Sequence, residues 1–207
     1  MKKYELLVDD TITFFGVQLF RIKALISFSG IEKGEVGGYV ASEKNLSQSG
    51  DAWVSGDAWV YGNAEVYGDA EVSGNAKVSG NAKVYGDAWV SGDAEVYGNA
   101  KVYGDAWVSG NAEVYGDAEV SGNAWVSGDA EVYGNANYIV FKNTWSSGRY
   151  FTYTKSNKMW RVGCFYGNGY ELIEKAYKDS QKSGDFYKAY VEFVEKLEEI
   201  EKIHKEQ

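Results

Sequence analysis

Proline is missing from all 207 residues, and cysteine and histidine occur once each. Each scarcity removes a class of protein. Low-complexity disorder brings proline and few aromatics, whereas 16% of these residues are aromatic. A lone Cys164 builds neither an intrachain disulfide framework nor a cysteine zinc cluster, and it suits a reducing, cytoplasmic setting. His204, three residues from the end, is the one imidazole, so no histidine metal set is available. The opening Met1-Lys2-Lys3-Tyr4-Glu5 leads into no apolar run of signal-peptide length, and no stretch suits a bilayer span.

Charge is unevenly distributed. Residues 49–132 carry 3 Lys against 14 Asp plus Glu, whereas residues 133–207 carry 12 basic and 10 acidic side chains. Between Glu131 and Glu171 there is no carboxylate side chain, but there are Lys142, Arg149, Lys155, Lys158 and Arg161. An acidic middle is therefore followed by a basic segment.

What is abundant is glycine, and it is periodic. From Ser49 to Val132 the unit Ser/Tyr-Gly-Asp/Asn-Ala-x-Val occurs fourteen times without a break. Six residues suit one short strand and one corner of a β-helix, with Ala and Val facing inward. Gly-Asp/Asn supplies the corner, where positive φ costs glycine little. If three units make a turn, residues 18 apart stack. One outward column then reads Trp53, Glu71, Trp89, Trp107, Trp125, beside an all-serine column from Ser55 to Ser127. The other faces carry mixed Glu and Lys beside mostly Tyr. Asn columns at the corners can form amide ladders, and stacked Asp repel each other.

This pattern resembles the left-handed hexapeptide-repeat family and, in its Gly-Asp/Asn-Ala-x-Val form, the YdcK type of β-solenoid from bacteria and phages. The left hand of the coil is what the resemblance implies. The leader Lys33-Gly34-Glu35-Val36-Gly37-Gly38-Tyr39-Val40 with Glu43-Lys44-Asn45-Leu46-Ser47 looks similar to a phage and prophage group, as does the segment from Thr144 to Thr152. The expected fold is an all-β left-handed parallel β-helix, a triangular solenoid, with a small C-terminal α+β module. Its parts are an N-terminal β cap over 1–36, the solenoid over 37–138, and a basic, aromatic hairpin module with two helices over 139–207. The hairpin comprises Phe151 to Thr154 and Met159 to Val162. Ser183-Gly184-Asp185 separates the helices, and the second has an apolar stripe for the solenoid or a neighbouring subunit.

Many solenoids of this family are acyltransferases and some are zinc carbonic anhydrases; both usually depend on histidine. With His204 alone in the tail and no loop interrupting the repeat, the expectation is a non-enzymatic protein with no cofactor and no metal. Cys164 reads as a buried structural thiol. Trp145, Ser146, Ser147, Arg149, Lys158, Trp160 and Arg161 combine rings with cations, which suits a small phosphorylated or nucleotide-like ligand. Alternatively, these cations dock the module on the coil's own Asp and Glu. Gly167-Asn168-Gly169 opens a helix that suits an anion or is simply a turn. Trp53, Trp89, Trp107 and Trp125 form an exposed stripe, and family habit implies a homo-oligomer, a trimer, joined there; cover by the C-terminal helices or a sugar or base platform are the rivals. The readings of function are an oligomeric binding protein with a counter-defence role, trapping a nucleotide signal or blocking a host protein; an interaction solenoid whose acidic face mimics nucleic acid; and a degenerate acyltransferase. The acidic coil opposes contact with a long nucleic acid, and no membrane partner is expected.

Overall fold

The computed structural model describes residues 2–205. The repeats form a β-solenoid of about five turns. Strands β4 to β17, two or three residues each, run from Trp53–Val54 to Glu131–Val132. They stack as three parallel sheets in which partners lie 18 residues apart, as in Trp89↔Trp107, Lys77↔Glu95 and Lys101↔Glu119. Every Val from Val54 to Val132 and every Ala from Ala52 to Ala130 in the repeat is buried. Each buried Val contributes roughly 1.5–2 kcal/mol of apolar transfer.

The corners show why glycine recurs. Gly74 has φ +69, and a Cβ there would lie 2.9 Å from the carbonyl oxygen of Gly92 in the next coil. Both the left-handed backbone and the close approach of successive coils exclude a side chain.

Coils are joined in one direction. The N–H groups of Trp53, Ser55 and Asp57 donate to the carbonyls of Ala70, Val72 and Gly74, seventeen residues on, and later units repeat the pattern. The first coil is therefore left with carbonyls and the last with N–H groups. Buried backbone groups require partners, and the two ends receive opposite chemistry.

At the N-terminal end, β1 (Tyr4–Phe14) and β2 (Val17–Ala24) form a hairpin that leads into β3 (Val36–Val40). Its turn, Phe15-Gly16, has φ 44 and 79. β3 pairs in parallel with Trp59–Val60, so the cap continues one face of the coil. Here the spacing is 20 residues rather than 18, because two extra residues lie between Leu46 and Val54. Donor side chains cover the carbonyls. The Lys3 ammonium donates to Gly50 and Ala52, Asn45 Nδ2 to Gly62 and Ala64, and Arg21 to Gly37 and Gly56. Burial lowers the Lys3 pKa to about 8, against the opposing pull of Asp51 and Asp69.

At the other end, oxygen atoms cover the N–H groups. Thr152 Oγ1 accepts from Trp125 N at 2.9 Å, Ser156 Oγ from Glu131 N at 2.8 Å, and Asn135 Oδ1 from Glu119 N at 2.8 Å. Thr152 and Ser156 belong to a four-stranded antiparallel sheet and its turn: β18 (Tyr138–Lys142), β19 (Tyr150–Thr154), β20 (Met159–Val162) and β21 (Phe165–Gly167). The helices α1 (Gly169–Asp179) and α2 (Gln181–Lys205) complete the module. Its core joins Phe151, Tyr153 and Trp160 to Leu172, Ala176, Tyr187, Val191 and Val194.

The helix break falls at Ser180, not at Ser183-Gly184-Asp185. Gly184 lies inside α2, where a Cβ would stand 2.1 Å from the Tyr177 ring. The glycine answers helix packing rather than termination.

Thr152→Val keeps shape but removes the acceptor for Trp125 N. The expected result is a stability loss of about 1–3 kcal/mol in urea denaturation, with the fold retained by circular dichroism. An unchanged midpoint would mean that this end of the coil needs no such cap.

Candidate functional site

The indoles of Trp89, Trp107 and Trp125 stack with centroids 4.8 and 4.5 Å apart and planes within 2°. Each Nε1–H donates to the serine sixteen residues earlier: Trp89 to Ser73, Trp107 to Ser91 and Trp125 to Ser109. This diagonal bond accounts for Ser73, Ser91 and Ser109 in the serine column. Ser127 has no tryptophan sixteen residues on, and its buried Oγ has no partner among the described residues.

The stack corrects two expectations. Both faces of Trp107 are covered by its neighbours and Arg161 lies over Trp125, so these two rings are no sugar or base platform. Trp53 leaves the stripe altogether. It is 3% exposed beneath Tyr4 and Phe28 in the N-terminal cap and is not available to another subunit. Trp89, at 39% exposed, is the most open member. The helices α1 and α2 pack on the β18–β21 sheet.

Arg161 closes the top of the stack. Its guanidinium lies 3.8 Å from the Trp125 ring centroid, and burial lowers its pKa. Its Nε is buried with no partner among the described residues. This is cation–π docking of the module onto the coil rather than a ligand contact.

The other ligand candidates are dispersed. Trp160 is 2% exposed in the module core. Trp145 stacks on Phe186 at 4.6 Å and meets Tyr187 edge-on. Neither ring is a nucleobase platform, because helix packing already occupies it. Lys158 pairs with Glu198 at 3.6 Å and Lys155 with Glu201 at 2.5 Å, both on α2. These cations therefore dock the hairpin to the helix, not to the coil's carboxylates. The Tyr153 hydroxyl also bonds Glu198, and burial, followed by that carboxylate, raises its pKa.

Ser146, Ser147 and Arg149 share the exposed loop before β19. Asn143 Oδ1 accepts from both the N–H and the hydroxyl of Ser146, and Ser147 Oγ accepts from Arg149 N. Arg149 and Lys158 stand at opposite ends of the five-residue β19, roughly 16 Å apart along the strand. They are not one site. At the start of α1, Asn168 and Glu171 form a reciprocal capping box, so a carboxylate already serves this N-terminus. Cys164 is exposed between β20 and β21 rather than buried.

The arrangement that the structure does assemble lies along one coil corner. Asp51, Asp69, Asp87 and Asp105 occupy successive turns and are all exposed. The next corner alternates Asp57, Asn75, Asp93, Asn111 and Asp129, with Asn75 donating to Asp93 and Asn111 to Asp129. The third is an amide ladder from Asn63 through Asn81 and Asn99 to Asp117. Carboxylates therefore concentrate on the first corner. Two residues before its aspartates run Tyr67, Tyr85 and Tyr103, stacked 4.9 and 5.0 Å apart; two residues after Asp87 and Asp105 come Trp89 and Trp107.

The family model for the YdcK β-solenoid repeat matches residues 76–92. Over these residues the coil is similar to the YdcK β-solenoid repeat. The match lies mid-run, and the same hexapeptide continues on both sides of it. No curated protein matches the chain in sequence. The aspartate corner was visible in the sequence as an 18-residue column, but its flanking by two aromatic ladders emerges only when the turns are stacked.

The tyrosine columns make a pH prediction. Tyr97 is pushed up by burial and by its bond to Glu113, and burial also raises Tyr67 and Tyr85. A tyrosine with a raised folded pKa contributes stability that is present below its unfolded value of about 10 and lost as pH rises above it. The melting temperature is expected to fall above that pH, and Tyr97→Phe to soften the fall. An identical profile in the variant would contradict the assignment.

Proposed function

We infer that this chain is a non-catalytic binding protein whose coil presents an acidic, aromatic-walled edge to a basic polypeptide. The observation that carries this reading is the exposed column Asp51, Asp69, Asp87 and Asp105 between the Tyr67–Tyr85–Tyr103 and Trp89–Trp107–Trp125 ladders.

The column costs stability. Coils about 4.8 Å apart place like charges where each pair repels by roughly 1 kcal/mol in water. The neighbouring corner uses Asn ladders instead, so the coil tolerates the neutral residue. Retaining four successive carboxylates fits a role outside folding, as costly functional surfaces do. Carboxylates pair with guanidinium in charge-assisted bonds, and ring edges give apolar walls to Lys and Arg stems. One charge per ~4.8 Å approaches one DNA strand's charge per ~3.4 Å. A protein surface built for nucleic acid therefore suits this edge. In a bacterial cytoplasm with a phage-derived gene, which the leader's resemblance implies, such an edge would block a basic host protein. The nucleotide-trap reading has weaker support, because Trp145 and Trp160 are packed in the core.

An oligo-arginine peptide titrated calorimetrically tests this. The wild type is expected to bind with steep salt dependence. Asp69→Asn with Asp87→Asn and Asp105→Asn should bind at least tenfold more weakly, a loss of about 1.4 kcal/mol, and melt no lower than the wild type. Equal affinity in the triple variant, or no binding by the wild type in low salt, would refute the reading.

A further inference from the structure

Helix α2 buries one stripe; a second is partly covered where Phe186 and Tyr190 pack on Trp145 and Phe141, and open at Phe193 and Ile200. Tyr187, Val191 and Val194 enter the module core. Phe186, Tyr190, Phe193, Leu197 and Ile200 lie on another face, with Phe186 38%, Phe193 51% and Ile200 43% exposed. Phe141 of β18 adjoins them, and with Phe186, Ala189, Tyr190 and Phe193 it lines a shallow apolar groove. The second stripe recurs at alternating steps of four and three residues. That spacing lets a second helix pack along the stripe.

Charge decides the occupant. In the heptad frame that puts Phe193 and Ile200 at d and Tyr190 and Leu197 at a, Lys196 falls at g and Glu201 at the following e. In a parallel pair, g of one helix meets e of the other five residues on. Lys196 then faces Glu201 of a second copy. Among the described residues Glu201 is engaged only through Oε1, with Lys155. Glu192 and Glu199 fall at the outward c positions, so the solvent side carries carboxylates where a bilayer-binding helix would carry mainly Lys and Arg. We propose that the stripe receives α2 of a second copy of this chain, parallel and in register. Self-association thus runs through the C-terminal helix rather than the tryptophan stripe, and it rests on observations separate from the acidic edge.

Light scattering on the full chain at micromolar concentration should give at least twice the 22.9 kDa chain mass. Phe193→Glu with Ile200→Glu changes two exposed positions. It should return the mass to that of one chain, with circular dichroism and oligo-arginine binding per chain retained. Ile200→Cys in a Cys164→Ser background should form an interchain disulfide on mild oxidation, because parallel seams bring the two d positions together. A monomeric wild type overturns the proposal, whether or not it floats with phosphatidylcholine–phosphatidylglycerol vesicles. So does an oligomer that survives the double substitution, or one whose cysteine variant does not cross-link.

Discussion

The hydrogen bond from each coil to the next, directed from N–H to the carbonyl seventeen residues on, organises this molecule. Because every coil donates the same way, the two ends of the stack are chemically unlike. Lys3, Arg21 and Asn45 supply donors at the carbonyl end. Thr152, Ser156 and Asn135 supply oxygens at the N–H end. The caps differ in sequence and architecture because they answer opposite demands. They also blunt two edges that would otherwise fit each other, head to tail, in a growing filament.

The same ladder dictates what the outer surface can be. With coils in strict register, a residue type is repeated at one height after another, so its favourable and unfavourable contacts are repeated as well. Aromatic columns gain by stacking, and tryptophan adds a bond back to serine on the previous turn. Lys77–Glu95 and Lys101–Glu119 alternate sign within a column and form ion pairs at 2.8 and 2.7 Å. Exposed pairs of this kind contribute little individually. The aspartate corner departs furthest from these rules: it repeats one charge over four successive turns, against three for Glu95, Glu113 and Glu131 and two for Lys83 and Lys101.

The coil was legible in advance because its period is short and its columns respond to simple rules of burial and turn geometry. The strands and the 18-residue register follow from that pattern, and the hairpin expected at Phe151 to Thr154 and Met159 to Val162 forms in the module. The module was less legible. Its rings and cations have no period, and their roles depend on which surfaces meet. Trp160 went to the core and Arg161 to the face of Trp125, while Lys155 and Lys158 went to a helix some 40 residues later. Composition could show that rings and cations coincide, but not that tertiary packing would consume them. Gly184 misled for the same reason: its role is contact with Tyr177, which local sequence does not display.

Residue-resolved amide hydrogen exchange measures the coil ladder directly. The account predicts that slow exchange extends through the coil to the last turn, with Glu119, Trp125 and Glu131 protected by Asn135, Thr152 and Ser156. Rapid, loop-like exchange at those three amides, beside slow exchange in the preceding turns, would contradict the claim that the ends are sealed by matched side-chain chemistry.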